Sequence, residues 1–416
     1  LSRGPESVGD FMKDTSTTKK TILLLTLAGC LIYAMSAGIR SNYGILLNPI
    51  IENSGITYSY VSFALALAQL VFGIMQPVFG IIAMKYSGAF VLRRGVILLV
   101  AGLLLLPLCK DMWMLLIVLG GILPSGTAAL SFGIIMGVLT PQMPGRINAA
   151  VSGIVTASSG IGSTVFSPLI QTMMVAFGLL GTMLFIGIPA LLLLPVSIAM
   201  CHSEQRVQNT SRSDQVQEES FGKMIGSAIK NRSYLCLMAG FFTCGFHMAL
   251  IETHFYSQIV SYGHSGRIAA FAFSVYGIAT MAGAVLSGIL CSRIPMKYVL
   301  GGLYGSRCLM IVSFLALPKS IISIYIFIFL LGLTGNSTVP PTSGLVGQMF
   351  GAVKLAALFG IVFAAHQVGS FFSSWLGGIC LSGTGTYTII WLIDALFCLM
   401  ASAVSFMINE KRERME

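Results

Sequence analysis

The sequence predicts an all-α integral membrane protein: twelve transmembrane helices in two pseudo-symmetric six-helix bundles. Three observations predict it. The 416-residue chain is 56% hydrophobic and 9% charged, against roughly 25% charged in an ordinary soluble protein. A pattern also returns at half the chain length. Gly80-Ile81-Ile82-Ala83-Met84-Lys85 recurs as Gly288-Ile289-Leu290-Cys291-Ser292-Arg293 at an offset of 208, and Ala149, Gly153, Gly162 and Ser163 recur as Ala356, Gly360, Gly369 and Ser370 at an offset of 207. Finally, the basic residues segregate. With both termini inside, 19 of the 24 Lys and Arg residues fall on the cytoplasmic side, three (Lys110, Arg267, Lys319) outside, and two (Arg40, Arg307) within spans. Such a bias sets orientation, so the net charge of +10 is a topological signal and not a nucleic-acid footprint.

The elements follow in order. Residues 1–19 are a cytoplasmic tail, of which 1–11 read as an upstream extension or non-native leader before a start at Met12. Apolar runs of roughly 20 residues span the bilayer core. Six of them, at 21–48, 57–83, 89–108, 112–140, 145–176 and 179–201, form a first bundle over 20–201. The first run is far longer than the apolar core of a cleaved signal peptide. The polar stretch 202–220 opens a cytoplasmic linker, 202–232, whose composition predicts disorder. Phe221, Met224, Ile225, Ala228 and Ile229 then share one face of a short helix lying on the inner membrane surface. Runs at 233–261, 267–291, 296–316, 320–348, 355–381 and 386–408 form a second bundle over 233–410. The nine cysteines are scattered without a CxxC pair and read as packing residues, not disulfides or metal ligands. Most of the glycines read as small residues that let helices approach in lipid; the rest are candidate hinges. Pro77, Pro124, Pro168, Pro189 and Pro340–Pro341 interrupt spans, which is tolerated where protein or a wet cavity satisfies the freed carbonyls.

Ionisable side chains inside a membrane span are costly and ask for a reason. Arg40 lies about 20 residues into the first span, roughly 29 Å from its inner end. Tyr33, Ser36, Arg40 and Tyr43 form one polar stripe on that helix. Arg40 reads as a guanidinium facing a central cavity, able to fork onto a carboxylate; the alternative is a structural arginine on helix carbonyls or snorkelling outward. Arg307, at mid-depth of the ninth span, is either a second cavity cation or a bridge behind the cavity to Asp394 or a carbonyl. His366 and Gln367 make a polar spot in the eleventh span. Asn336 and Thr338, beside the Pro340–Pro341 break, are candidates to line the tenth. In the seventh span, His247 and His254 stand two turns apart, too far for one metal ion, so no metal site is expected from that helix. Glu252 reads as a proton-titrating carboxylate or as the partner of a cation, with His247 and His366 as further proton-coupling candidates. Asp394 reads as structural.

Twelve spans in two repeats, a long central loop, and a glycine-to-basic signature after spans two and eight resemble the major facilitator superfamily from residue 20 to 410. Within it, Ala37-Gly38-Ile39-Arg40-Ser41 followed by Gly44-Ile45-Leu46-Leu47-Asn48-Pro49 is similar to the branch of monocarboxylate transporters and oxalate/formate antiporters. Arg40 stands where monocarboxylate transporters carry a substrate-linked lysine. Ala364-Ala365-His366 stands where the oxalate antiporter carries a lysine that meets the anion. The segments 245–254 and 339–347 look like a bacterial subgroup of that branch. Two departures stand out. The loop signature has Met84 and Ser292 where the family has Asp, and residues 268–290 lack the eighth-helix arginine of both relatives.

The resemblance implies a secondary transporter of a small organic anion, a carboxylate, in a bacterial cytoplasmic membrane. It would be monomeric, need no cofactor, work by alternating access, and couple to protons as a symporter or antiporter. From their placement in the spans, Arg40, Tyr43, Ser36, Tyr33, Arg307, His366, Gln367 and Asn336 are the candidates to bind substrate. An exporter of a metabolite, metallophore or drug is the alternative within transport. A membrane enzyme lacks any closely spaced catalytic constellation, a receptor would want a sensory domain, and no GxxxxGK[ST] motif supports ATP-driven transport.

Overall fold

The computed structural model describes residues 8–142, 145–201 and 221–410, so the expected linker stretch 202–220 lies outside it. All described elements are helical. The crossings are α1 (Val8–Arg40, resuming as Tyr43–Ser54), α2 (Tyr58–Lys85), α3 (Gly88–Leu105) and α4 (Met112–Ile117 through Phe132–Leu139). Next comes a 46-residue stretch, Gly145–Ala190, that breaks at Gly178 with φ +64°. At 1.5 Å per residue that stretch would run roughly 69 Å unbroken, more than twice the bilayer core. The break divides it into α5 and α6, and α6 ends in Leu193–Cys201. After a short helix Phe221–Ile229 come α7 (Arg232–Leu250 to Tyr256–Ser261), α8 (Gly266–Cys291), α9 (Met296–Ala316), α10 (Ile321–Gly335 to Val339–Phe350), α11 (Ala352–Thr384) and α12 (Thr388–Phe406). Eleven stretches are apolar and long enough to cross a membrane, one of them the 50-residue Val151–Met200. Counting that one as two gives the twelve crossings.

Short polar caps mark where several crossings begin. The Phe90, Met114, Ile268 and Ser323 amides donate to the side chains of Ser87, Asp111, Ser265 and Ser320. These caps satisfy amides that the first helical turn leaves orphaned. The start of α9 differs. Its Met296 and Lys297 amides donate to the Glu410 carboxylate at 2.9 and 3.1 Å, across 114 and 113 residues of sequence.

The repeat is visible in the packing. α1 packs on α5 as α7 packs on α11, α2 on α4 as α8 on α10, and α3 on α6 as α9 on α12. Glycines make the first pairing close. A Cβ on Gly38 would come within 2.9 Å of the Gly162 carbonyl, and one on Gly162 would overlap the Ala34 backbone. Their counterparts one repeat later, Gly245 and Gly369, press on the His366 and Phe242 carbonyls. The expected close-packing role fits these glycines.

The halves meet through α2 on α11, α5 on α8, and α1 on α7. At mid-depth Gly73 lies against the Gln367 side chain, and Gly160 against Met281 and the Gly277 carbonyl. Seven residues nearer the basic face, on continuations of the same helix faces, stand Gly80 and Gly360, and Gly153 and Gly288. A Cβ on any of these four would meet open space. The halves therefore touch from the opposite face to mid-depth and splay apart toward the basic face. The eight cysteines whose side chains are described are free.

Candidate functional site

Arg40 closes the first segment of α1, where a helix C-terminus favours a cation. The chain then bends: Asn42 Nδ2 donates to the Gly38 carbonyl at 2.6 Å, and Ser41 Oγ lies 2.8 Å from Ser163 Oγ on α5. This bend fixes the direction of the guanidinium. Its Nη1 lies 3.3 Å from Glu252 Oε2 on α7 and 3.3 Å from Gln69 Oε1 on α2, and its carbon sits 4.9 Å from the Phe72 ring centroid. The Arg40 side chain is 24% exposed and Glu252 6%. One ion pair thus bridges the two halves at the level where they begin to separate, with the cation wet and the carboxylate mostly dry.

Glu252 reaches this position through a wide turn, Ile251–Phe255, that interrupts α7 as a π-helical segment. Such turns insert an extra residue and are frequent at functional sites. Gly44 lets the resumed α1 approach it, since a Cβ there would stand 2.7 Å from the Glu252 carbonyl and 2.9 Å from that of Thr253.

The other expected residues divide. Tyr43 is buried beside Arg40 in sequence, and its hydroxyl has no partner; the Gln367 Nε2 also has none. His366 is half-buried, stacked on Phe363 with ring centroids 5.3 Å apart, and 3.4 Å from Gln367 Oε1. Tyr33 packs on Phe132 at 6.0 Å. Asn336 is half-buried and opens the short tight turn Asn336–Thr338 that interrupts α10. Ser36 is spent within the first half, donating to the Thr127 carbonyl of α4 at 3.1 Å.

Two expectations need correction. Arg307 does not face the opening. It is fully buried, donates to the Thr334 and Gly335 carbonyls and the Thr334 hydroxyl of α10, and lies under the Tyr304 ring. Its geometry matches the alternative, a bridge behind the cavity using carbonyls. His247 is also sealed, with Nδ1 2.6 Å from Asp394 Oδ2 on α12. The carboxylate expected near Arg307 is thus paired with the histidine. With Cys398, these two residues bring three donor atoms within 4.8 Å of one another, a grouping that α7 alone did not suggest. Nitrogen and oxygen on one tetrahedral ion stand roughly 3.3 Å apart at metal–ligand distances of about 2 Å. The 2.6 Å separation is that of a hydrogen bond.

Sequence reasoning missed two features. Gln69 was legible as a lone polar residue in the run Ala64-Leu65-Ala66-Leu67-Ala68-Gln69-Leu70. The other lies nearer the opposite face, where Tyr58 of α2 stands 2.8 Å from both His254 Nδ1 of α7 and the Tyr387 hydroxyl preceding α12. His254 Nε2 lies 2.8 Å from the Ser374 carbonyl of α11. No spacing rule brings together residues so far apart in sequence.

The family model for the major facilitator superfamily matches residues 29–319 and, in a second match, 259–416. The chain belongs to the major facilitator superfamily. It is a multi-pass membrane transporter of small molecules and not an enzyme. Among similar members of the superfamily, an uncharacterized MFS-type transporter of Bacillus subtilis, YcxA, is 24% identical over 88% of this chain and 90% of its own. The oxalate:formate antiporter of Oxalobacter formigenes is 21% identical over 90% and 88%, and monocarboxylate transporter 13 of Bos taurus 21% over 89% and 85%. The superfamily fold is matched by a bacterial homolog of the human lysosomal transporter Spinster, crystallised inward-facing and occupied, with TM-score 0.71 and 13% identity over 92% of this chain and 96% of that one.

Proposed function

We propose that this superfamily member is a secondary transporter of a small carboxylate, coupled to protons and worked by alternating access between residues 20–201 and 233–410. The observation that carries the proposal is the Arg40–Glu252 pair, 3.3 Å across the boundary between halves. An arriving carboxylate competes with Glu252 for the guanidinium, whose planar fork suits it. Once displaced, Glu252 is a nearly buried anion without its cation, and it relieves that cost by taking a proton. Anion and proton then move together with no net charge, and release of the anion returns Glu252 to Arg40. The unpartnered Tyr43 hydroxyl and Gln367 amide nitrogen supply donors for the rest of the substrate. His366 is the second proton acceptor at this level.

The relatives named as an oxalate:formate antiporter and a monocarboxylate transporter support the carboxylate assignment. The basic-residue bias supports both termini inside, so that the open face is inward, and the bacterial relatives support a bacterial cytoplasmic membrane. We take the protein to act as a monomer. The test is uptake of a panel of radiolabelled mono- and dicarboxylates by the purified protein in liposomes, with and without an inward proton gradient. At least one carboxylate should accumulate with the gradient and collapse with a protonophore; uptake of none above protein-free liposomes overturns the proposal. Glu252→Gln should keep substrate exchange and lose accumulation. If accumulation in that variant follows the gradient as in the parent, Glu252 is not the coupling residue.

A further inference from the structure

Among the described residues, the two halves are also joined nearer the opposite face by a hydrogen-bonded chain whose direction can be deduced. The Ser374 carbonyl can only accept, so His254 Nε2 carries a hydrogen. In the neutral ring Nδ1 is then an acceptor, filled by the Tyr58 hydroxyl at 2.8 Å. The Tyr58 oxygen in turn accepts from Tyr387, also at 2.8 Å. The ring is fully buried, and Gly377 of α11 leaves room for it where a Cβ would overlap it. The groups facing it are two phenols, Tyr58 from α2 and Tyr387 ahead of α12, with the Ser374 carbonyl from α11. On α7 itself the ionisable neighbour Glu252, two residues back, is engaged with Arg40. No carboxylate is in contact with the imidazole among the described residues.

We infer that this chain is a latch on the opposite face, beside the Ser167–Ala270 and Tyr256–Gln171 hydrogen bonds that also join the halves there, and that His254 makes its closing depend on the pH of that compartment. An imidazolium enclosed here would lack a counter-charge, which buried charges require. Opening the face parts Tyr58 from His254 and wets the ring, which then titrates near its ordinary value of about 6.5. The sign follows: protons bind the open form and not the closed one, so acid on that side holds the face open and alkali lets it latch. The inference rests on the alternating-access reading, and its test needs no substrate.

The test uses the full chain in liposomes, in a background with its reactive cysteines replaced. Spin labels go at Thr57→Cys and Arg267→Cys, exposed positions on the opposite face in the first and second halves. Pulsed electron resonance should show two distances whose longer population grows by up to tenfold per pH unit below about 6.5. His254→Asn keeps an acceptor for Tyr58 but takes no proton, so its populations should be flat between pH 5 and 8. Tyr58→Phe should raise the longer population at pH 8 about threefold or more. Two distances with pH-independent populations in the parent, or a pH dependence that survives in His254→Asn, overturn the role of His254. A single distance at every pH overturns alternating access itself.

Discussion

At the residue scale, Arg40 and Arg307 show what a sequence can say about a charge in a membrane. Both stand out as cations in apolar runs, and both invite the same assignment. Neighbours separate them: Arg40 ends a helix segment and is partly wet, whereas Arg307 is wrapped by the carbonyls of α10. The expectation of a partner for Glu252 was available from its cost alone, but the identity of that partner was not, because 212 residues separate it from Arg40. Arg40→Ala should abolish carboxylate uptake and lower thermal stability, because it orphans Glu252. The loss should fall below the ~3–5 kcal/mol of a fully buried pair, since the cation is partly exposed. Arg40→Ala/Glu252→Gln should recover stability without uptake, as read by thermal unfolding in detergent. Arg40→Lys should recover part of the uptake, keeping charge without the fork. Full uptake by the alanine variant would remove Arg40 from the binding site.

At the scale of elements, apolar run length located the crossings, and glycine recurrence located the helix contacts. The wide turn of α7 was invisible, because Ile251–Phe255 contains neither Gly nor Pro and its cause lies in the neighbours it meets. The repeated glycines divide into packed and open sets, and this division predicts two phenotypes. Gly162→Ala and Gly369→Ala should each destabilise the protein by about 1–3 kcal/mol, because the added carbon meets backbone. Gly153→Leu and Gly288→Leu should fold normally, since their faces are open. Both should nevertheless transport poorly, because leucine there obstructs the approach of α5 to α8 that closing the basic face demands. Wild-type transport rates in both leucine variants would show that these faces never meet.

For the whole molecule, the long-period duplication and the basic-residue asymmetry made the twofold plan legible before any contact was known. Which face is closed was not legible, since it is set by contacts between helices far apart in sequence. Single cysteines at 84–90 and 292–296 should react only with reagents delivered to the cytoplasm, and cysteines at 52–56 and 262–266 only with reagents outside. Reversed labelling in intact cells would invert the topology.

The Glu410 cap on α9 has a consequence for how the chain is made. The first turns of α3, α4, α8 and α10 are capped by residues already translated when those turns emerge. The amides of Met296 and Lys297 wait for an acceptor more than a hundred positions downstream. At about 5–20 residues per second, that acceptor arrives on the order of ten seconds later. During that interval α9 has entered the bilayer with its leading amides facing water or lipid headgroups, and a ribosome that stalls before residue 410 leaves the second half unfastened at its basic face.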